Sequence, residues 1–213
     1  KKIVIINGKI KKFNKKIEIP GDKSCSIRAL LFASQCIGES KIFNLLESTD
    51  VLDCCNVLRT LGVKIVKRKS HYSVYGNGLN SFRIKKKITK LYIGNSMTTA
   101  RLISGLCSTL PSKFYLYGDD SANRRDFMRC IEKLERVGAK FFPRKKTLPL
   151  TIEGTSLPLA QEHVETRGSS QIKSMLLLSA LSTPGITTVE ELKEKSSRNH
   201  TEIFLKKIGC DIK

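Results

Sequence analysis

A glycine followed by small polar residues and a long apolar run occurs three times in this chain. That repeat limits the fold more than any other feature does. It stands at Gly21 (GDKSCSIRALLFAS), Gly94 (GNSMTTARLISGL) and Gly168 (GSSQIKSMLLLSAL), 73 and 74 residues apart. A second landmark, Leu-x-x-Leu/Val/Ile-Gly before a small or β-branched residue, closes helical stretches at Gly62, Gly138 and Gly209, which are 76 and 71 residues apart. Two independent landmarks with one common period describe a unit built three times.

Each unit reads alike. A short strand runs into the glycine, as IEIP, KLYI or HVET. A helix then opens on Ser, Thr, Asp or Asn, which cap well, and carries apolar residues at helical spacing. A strand follows (KIFNLL, KFYLYG, GITTVEEL), then a second amphipathic helix such as VLDCCNVLRTL or FMRCIEKLERV, ended by its glycine at C′. Units one and two finish on a strand pair, VKIVKR/HYSVYG and AKFFPR/LPLTIEG. The expectation is an α/β fold of repeated βαβαββ units with approximate threefold symmetry, helices inside and sheets outside or the reverse. The units span about 18–80, 88–155 and 162–213. The third lacks its final hairpin, so the chain reads as a single truncated domain. The alternative is that residues 3–6 and 13–19 complete that sheet.

The 213 residues carry 39 Lys and Arg, 27 of them lysine, against 19 Asp and Glu, a net charge of +20. Such a field attracts anions of any kind without choosing among nucleic acid, acidic membrane and phosphorylated metabolites. Seven cysteines, an odd number with no C-x-x-C spacing, read as reduced and mostly buried thiols of a cytoplasmic protein. No apolar run approaches the roughly 18 residues that span a bilayer, and the lysine-studded first twenty residues lack a signal-peptide core. Membrane and secreted classes are set aside on that basis.

Three helices opening on Gly-polar segments offer three N-termini with free N–H groups and partial positive charge, a ready anion site. Symmetry should bring them to one face. Lys23, Ser24 and Arg28 lie on the first, Asn95, Thr98 and Arg101 on the second, and Ser169, Ser170 and Gln171 on the third. Any one of these serines is adequately explained as a cap. Lys23 and Arg28 are not, because cations are disfavoured at a helix N-terminus unless an anion meets them. The residues alone indicate a small polyanion as ligand.

At these positions the chain resembles a known family. PGDKSCSIRALLFAS is similar to the opening motif of the 3-phosphoshikimate 1-carboxyvinyltransferases, or EPSP synthases. NLLESTDV, GNSMTTARLI, ANRRDFM, RGSSQIKSMLLLSAL and SSRNHTEIFLKKIG follow in the family's order. The resemblance covers nearly the whole chain but only the first half of a family member, and the family fold sets βαβαββ units three to a domain. It implies attack of the shikimate 3-phosphate 5-hydroxyl on C2 of phosphoenolpyruvate (PEP), with loss of phosphate from the adduct. It assigns Ser24 and Arg28 to the shikimate carboxylate, and Ser169, Ser170 and Ser197 to the 3-phosphate. Lys23, Arg125 and Gln171 go to PEP, Asn95 counts among the substrate-binding residues, and His200 stands near the shikimate ring. It places the acid–base residues in the second half, possessed here by no residue, and implies no cofactor and no metal. A separate C-terminal half is the protein partner it suggests.

Departures from the pattern carry expectations too. Met97 replaces a glycine and should crowd PEP; Asp126 replaces a proline and should compete for Arg125; Ile27 replaces a polar residue. Lys173 matches some members of the family and otherwise reads as a solvated helix lysine. The run RIKKKITK (83–90) reads as a solvated connector, a nucleic-acid patch being disfavoured because no aromatic residue interleaves it. Three other readings stay open: a UDP-N-acetylglucosamine enolpyruvyl transferase, an RNA-end-processing protein of similar units, and a decayed fragment without function.

Overall fold

The computed structural model describes residues 14–213, with residues 3, 5, 7–9 and 12 before them. The first unit comprises α1 (Lys23–Gln35), β1 (Ile37–Phe43), α2 (Thr49–Thr60), β2 (Lys64–Lys67) and β3 (His71–Asn77). The second comprises β4 (Ile88–Tyr92), α3 (Met97–Ser108), β5 (Lys113–Tyr117), the single turn α4 (Asp120–Asn123), α5 (Met128–Val137), β6 (Lys140–Phe142) and β7 (Leu150–Glu153). The third holds β8 (Glu162–Glu165), α6 (Ser170–Ala180), β9 (Thr188–Glu191), a 3₁₀ turn at Lys193–Lys195, and α7 (His200–Lys207).

The helices are inside. Leu30 and Leu31 of α1, Leu102 and Ile103 of α3, and Met175, Leu176 and Leu178 of α6 are wholly buried in one contiguous core. The close approach of α3 to α6 depends on Gly105, where a Cβ would overlap the carbonyl oxygen of Met175. Among the described residues three sheets lie around these helices: β1-β3-β2, β4-β5-β7-β6 and β8-β9. In the second sheet the strands alternate, sending Leu91, Phe114, Leu116 and Ile152 inward and leaving the opposite face to water, whereas β3 buries Tyr72, Ser73 and Val74 in succession. The hairpins β2-β3 and β6-β7 are antiparallel, while β4-β5 and β8-β9 are parallel, as strand–helix–strand crossovers require.

The repeat survives in detail. Gly62, Gly138 and Gly209 all have positive φ at the ends of α2, α5 and α7, closing those helices in the left-handed conformation. Gly76 of β3 and Gly154 after β7 each lie against the last carbonyls of the helix opening their unit, Cys36 and Ala33 in one case, Leu110 and Cys107 in the other. The opening strand of the first unit is the exception. IEIP (17–20) is not a strand: Ile17 and Ile19 are exposed, and Pro20 has no N–H to give a ladder. The first sheet therefore has three strands against four in the second. Completion of the third sheet by residues 3–6 and 13–19 falls partly on positions outside the described residues; residues 14–19 carry no strand. Among the described residues no helix is long and apolar enough to cross a membrane.

Candidate anion-binding site

The first turns of α1, α3 and α6 converge. Gln171, in the first turn of α6, donates from Nε2 to Thr98 Oγ1 of α3 at 3.0 Å and accepts on Oε1 from Arg101 Nη1. Arg28, one turn into α1, reaches the start of α6 with Nη2, donating to the carbonyl of Ser170 at 3.5 Å and to Ser174 Oγ at 2.7 Å. The caps are conventional: Asp22, Ser96 and Ser169 accept with their side chains from the backbone N–H groups of Cys25, Thr99 and Ile172.

Arg28 is the centre of this end of the molecule. It is 1% exposed. Nε donates to Thr201 Oγ1 at 2.8 Å, Nη1 to the Ser24 hydroxyl and carbonyl, and Nη2 to Ser170 and Ser174. All these acceptors are neutral, and among the described residues no carboxylate pairs with the guanidinium. Burial lowers its pKa, with Cys25, Glu202 and Asp22 opposing. A buried cation without a bonded counter-ion is costly unless an anion joins it. The carboxylate fork expected of Arg28 is thus already engaged with the protein, and Ser24 lies between it and the helix start.

Beside Arg28 a second network fixes the loop before α7. Lys173 is buried and paired with Glu191 Oε2 at 2.7 Å and Glu202 Oε1 at 2.6 Å, not solvated as its sequence position suggested. Burial pulls its pKa down, but hydrogen bonds to both glutamates outweigh this and hold it above the ordinary value. Glu191 Oε1 also accepts from the Ser197 backbone N–H at 3.1 Å. The Ser197 hydroxyl itself is buried and has no hydrogen-bond partner among the described residues. His200 opens α7 with Nδ1 3.6 Å from Cys25 Sγ.

Lys23 and the second unit form the other flank. Lys23 Nζ pairs with Asp50 of α2 at 2.8 Å. Asn95 donates to Asp119 Oδ2 at 2.8 Å and accepts from Arg125 Nη2 at 2.7 Å, and Arg125 also donates to Ser121 Oγ. The hydrogen bonds from the Ala122 N–H and Asn95 hold the Asp119 carboxyl below its usual pKa. Asp126 does not compete for Arg125. Its Oδ1 accepts from the Met128 N–H at 2.7 Å and so caps α5 where Phe127 cannot. Met97 is 4% exposed and joins the core cluster, so its side chain is taken into the protein's own packing instead of standing free at the helix start.

Sequence reasoning missed Ser174, Thr201, Glu191, Glu202, Asp50 and Asp119. Ser174 had a signal, lying one turn after Ser170 on the same face. The two glutamates had none, since only the fold places β9 and α7 against Lys173.

The EPSP synthase family model, described as 3-phosphoshikimate 1-carboxyvinyltransferase, matches residues 8–213. The chain belongs to the EPSP synthase family. It is 38% identical over 204 residues to a 3-phosphoshikimate 1-carboxyvinyltransferase of Nitrobacter winogradskyi, covering 92% of this chain and 44% of that protein. A Lactococcus lactis relative of the same name is 36% identical, with 93% and 46% covered. An EPSP synthase structure from Acinetobacter baumannii superposes with a TM-score of 0.86 at 32% identity, over 93% of this chain and 44% of that one. The chain therefore spans less than half the length of these relatives, and its fold is that of EPSP synthase over the shared part.

Proposed function

We propose that this chain is the shikimate-3-phosphate-binding half of a carboxyvinyl transferase. It works in the cytoplasm, on the route to chorismate and the aromatic amino acids, together with a C-terminal half such as its longer relatives have. The observation that carries the reading is Arg28, a buried guanidinium bonded only to neutral groups where the first turns of α1, α6 and α7 meet. An anionic ligand supplies the charge that this site lacks. Turning the Ser24 hydroxyl frees Nη1 for the shikimate carboxylate, while Thr201 and Ser174 keep the fork in place. The 3-phosphate goes to Ser169, Ser170 and Ser197, whose unpartnered hydroxyl is a donor in wait. PEP is held by Lys23, Arg125 and Gln171 once Lys23 leaves Asp50 and Arg125 leaves Asn95. Holding two anions together offsets their repulsion and sets the 5-hydroxyl against C2 of PEP; phosphate then leaves the adduct.

General acid and base belong to the C-terminal half in this reading. Phosphate release from PEP plus shikimate 3-phosphate should be absent with this chain alone and appear on adding a C-terminal half domain from a relative. Turnover by the isolated chain would contradict the division of labour.

A further inference from the structure

We propose that the outer face of the β4-β5-β7-β6 sheet, separate from the anion site, binds single-stranded RNA. The register arranges its outward side chains in rows. Ile88, Lys113, Glu153 and Lys140 form one row, Lys90, Tyr115, Thr151 and Phe142 the next, and Tyr92 and Tyr117 the third. Successive rows on one face are about 7 Å apart. Tyr92 is 47% and Phe142 51% exposed, and the tyrosine rings lie tilted against one another, with centroids 5.2 Å apart for Tyr92–Tyr117 and 5.4 Å for Tyr115–Tyr117. Four aromatic side chains on the solvent face of one sheet are a surface waiting for planar partners.

The charge around them selects the partner. Lys85, Lys86 and Lys87 lead directly into β4 at one corner of the face, and Lys145 and Lys146 follow β6 at the opposite corner, Arg144 before them being paired with Glu135 of α5. Lys90 and Lys140 lie within the face and, like Lys85–Lys87, form no ion pair among the described residues. Glu153 is the one carboxylate in the rows, paired with Lys113 at 3.0 Å. A groove of about 300 Å³ at that end is lined by Ser112, Lys113, Lys140, Glu153, Thr155 and Ser156. The lysine run that lacks aromatic residues in sequence thus gains them across the sheet. Aromatic faces for bases, flanked by cations for phosphates, are the physical requirements of single-strand binding. Glu153 and Thr151 offer acceptors to a 2′-hydroxyl, the group that distinguishes RNA from DNA.

The chain has no tryptophan and five tyrosines, three of them in this face, so tyrosine emission reports on it directly. Titrating the full chain with a short oligouridylate should quench that emission. Tyr115→Thr/Tyr117→Thr should weaken binding roughly ten-fold or more with an unchanged salt slope. Lys86→Ala/Lys87→Ala/Lys90→Ala should flatten the slope by about 0.7 for each phosphate no longer neutralised. Tyr75→Thr, on the first sheet, should leave affinity unchanged. If circular dichroism shows the tyrosine pair variant unfolded, wild-type quenching and the lysine slopes decide the matter. Binding without quenching, heparin competing as well as RNA, equal affinity for the matching DNA, or a tyrosine-dependent dimer of this chain without RNA would each overturn the proposal.

Discussion

His163 shows how far a single residue can depart from what its type suggests. It sits on β8, 1% exposed, with neither ring nitrogen hydrogen-bonded among the described residues. Burial first, and then the Lys133 and Arg136 charges of α5, depress its pKa from 6.5 to about 4. A histidine whose folded pKa is depressed stays neutral in the native state while the unfolded chain takes up a proton. Its contribution is therefore complete above pH 6.5 and is lost as pH falls from there towards 4, by on the order of 2–3 kcal/mol. His163→Phe should flatten the stability curve in that window relative to wild type, measured by urea denaturation at about pH 7 and about pH 4.5. Parallel curves would mean that the ring is hydrated. Little in the sequence warns of this residue, which reads as one member of a strand, HVET. Arg28 is the opposite case, since its place near a helix start already marked it as unusual. What no spacing revealed was that its donors would be occupied by Thr201 and Ser174, 173 and 146 residues away.

Elements in this fold are joined at the site by charged side chains that cross between them. Lys173 of α6 holds β9 through Glu191 and α7 through Glu202, and Glu191 in turn holds the Ser197 loop. Removing the ammonium alone leaves two partly buried carboxylates facing each other. Lys173→Met should therefore cost about 3 kcal/mol, and Lys173→Met/Glu191→Leu/Glu202→Leu should recover most of it, because breaking a buried pair costs more than replacing the whole set. Urea midpoints of the three proteins test this; equal midpoints for wild type and Lys173→Met would show that water already screens the triad. The elements themselves were largely legible, since the second helix of each unit, its closing glycine and both hairpins follow from apolar period and turn chemistry. IEIP failed because β-propensity says nothing about whether a partner edge is within reach. Lys173 was misread because an isolated lysine on a helix is solvated unless distant strands bring carboxylates to it.

Among the described residues the molecule is a set of helices wrapped by three sheets, and the repeat acts at that scale: it brings three helix starts to one end while leaving the sheet faces outward. The threefold arrangement was readable from two glycine landmarks, whereas which side of the sheets faces water became clear only with the burial of the helices. A field of +20 spread over the surface attracts any anion weakly. The converging helix starts should bind one anion in a fixed geometry, and the difference between those two behaviours is measurable. Calorimetric titration with shikimate 3-phosphate and with shikimate, on wild type and on Ser169→Ala/Ser170→Ala at moderate salt, separates them. Wild type should prefer the phosphorylated ligand by roughly ten-fold or more, the worth of a charged hydrogen bond or two. That preference should collapse in the double variant. Equal, weak and salt-sensitive binding of both ligands by both proteins would contradict it.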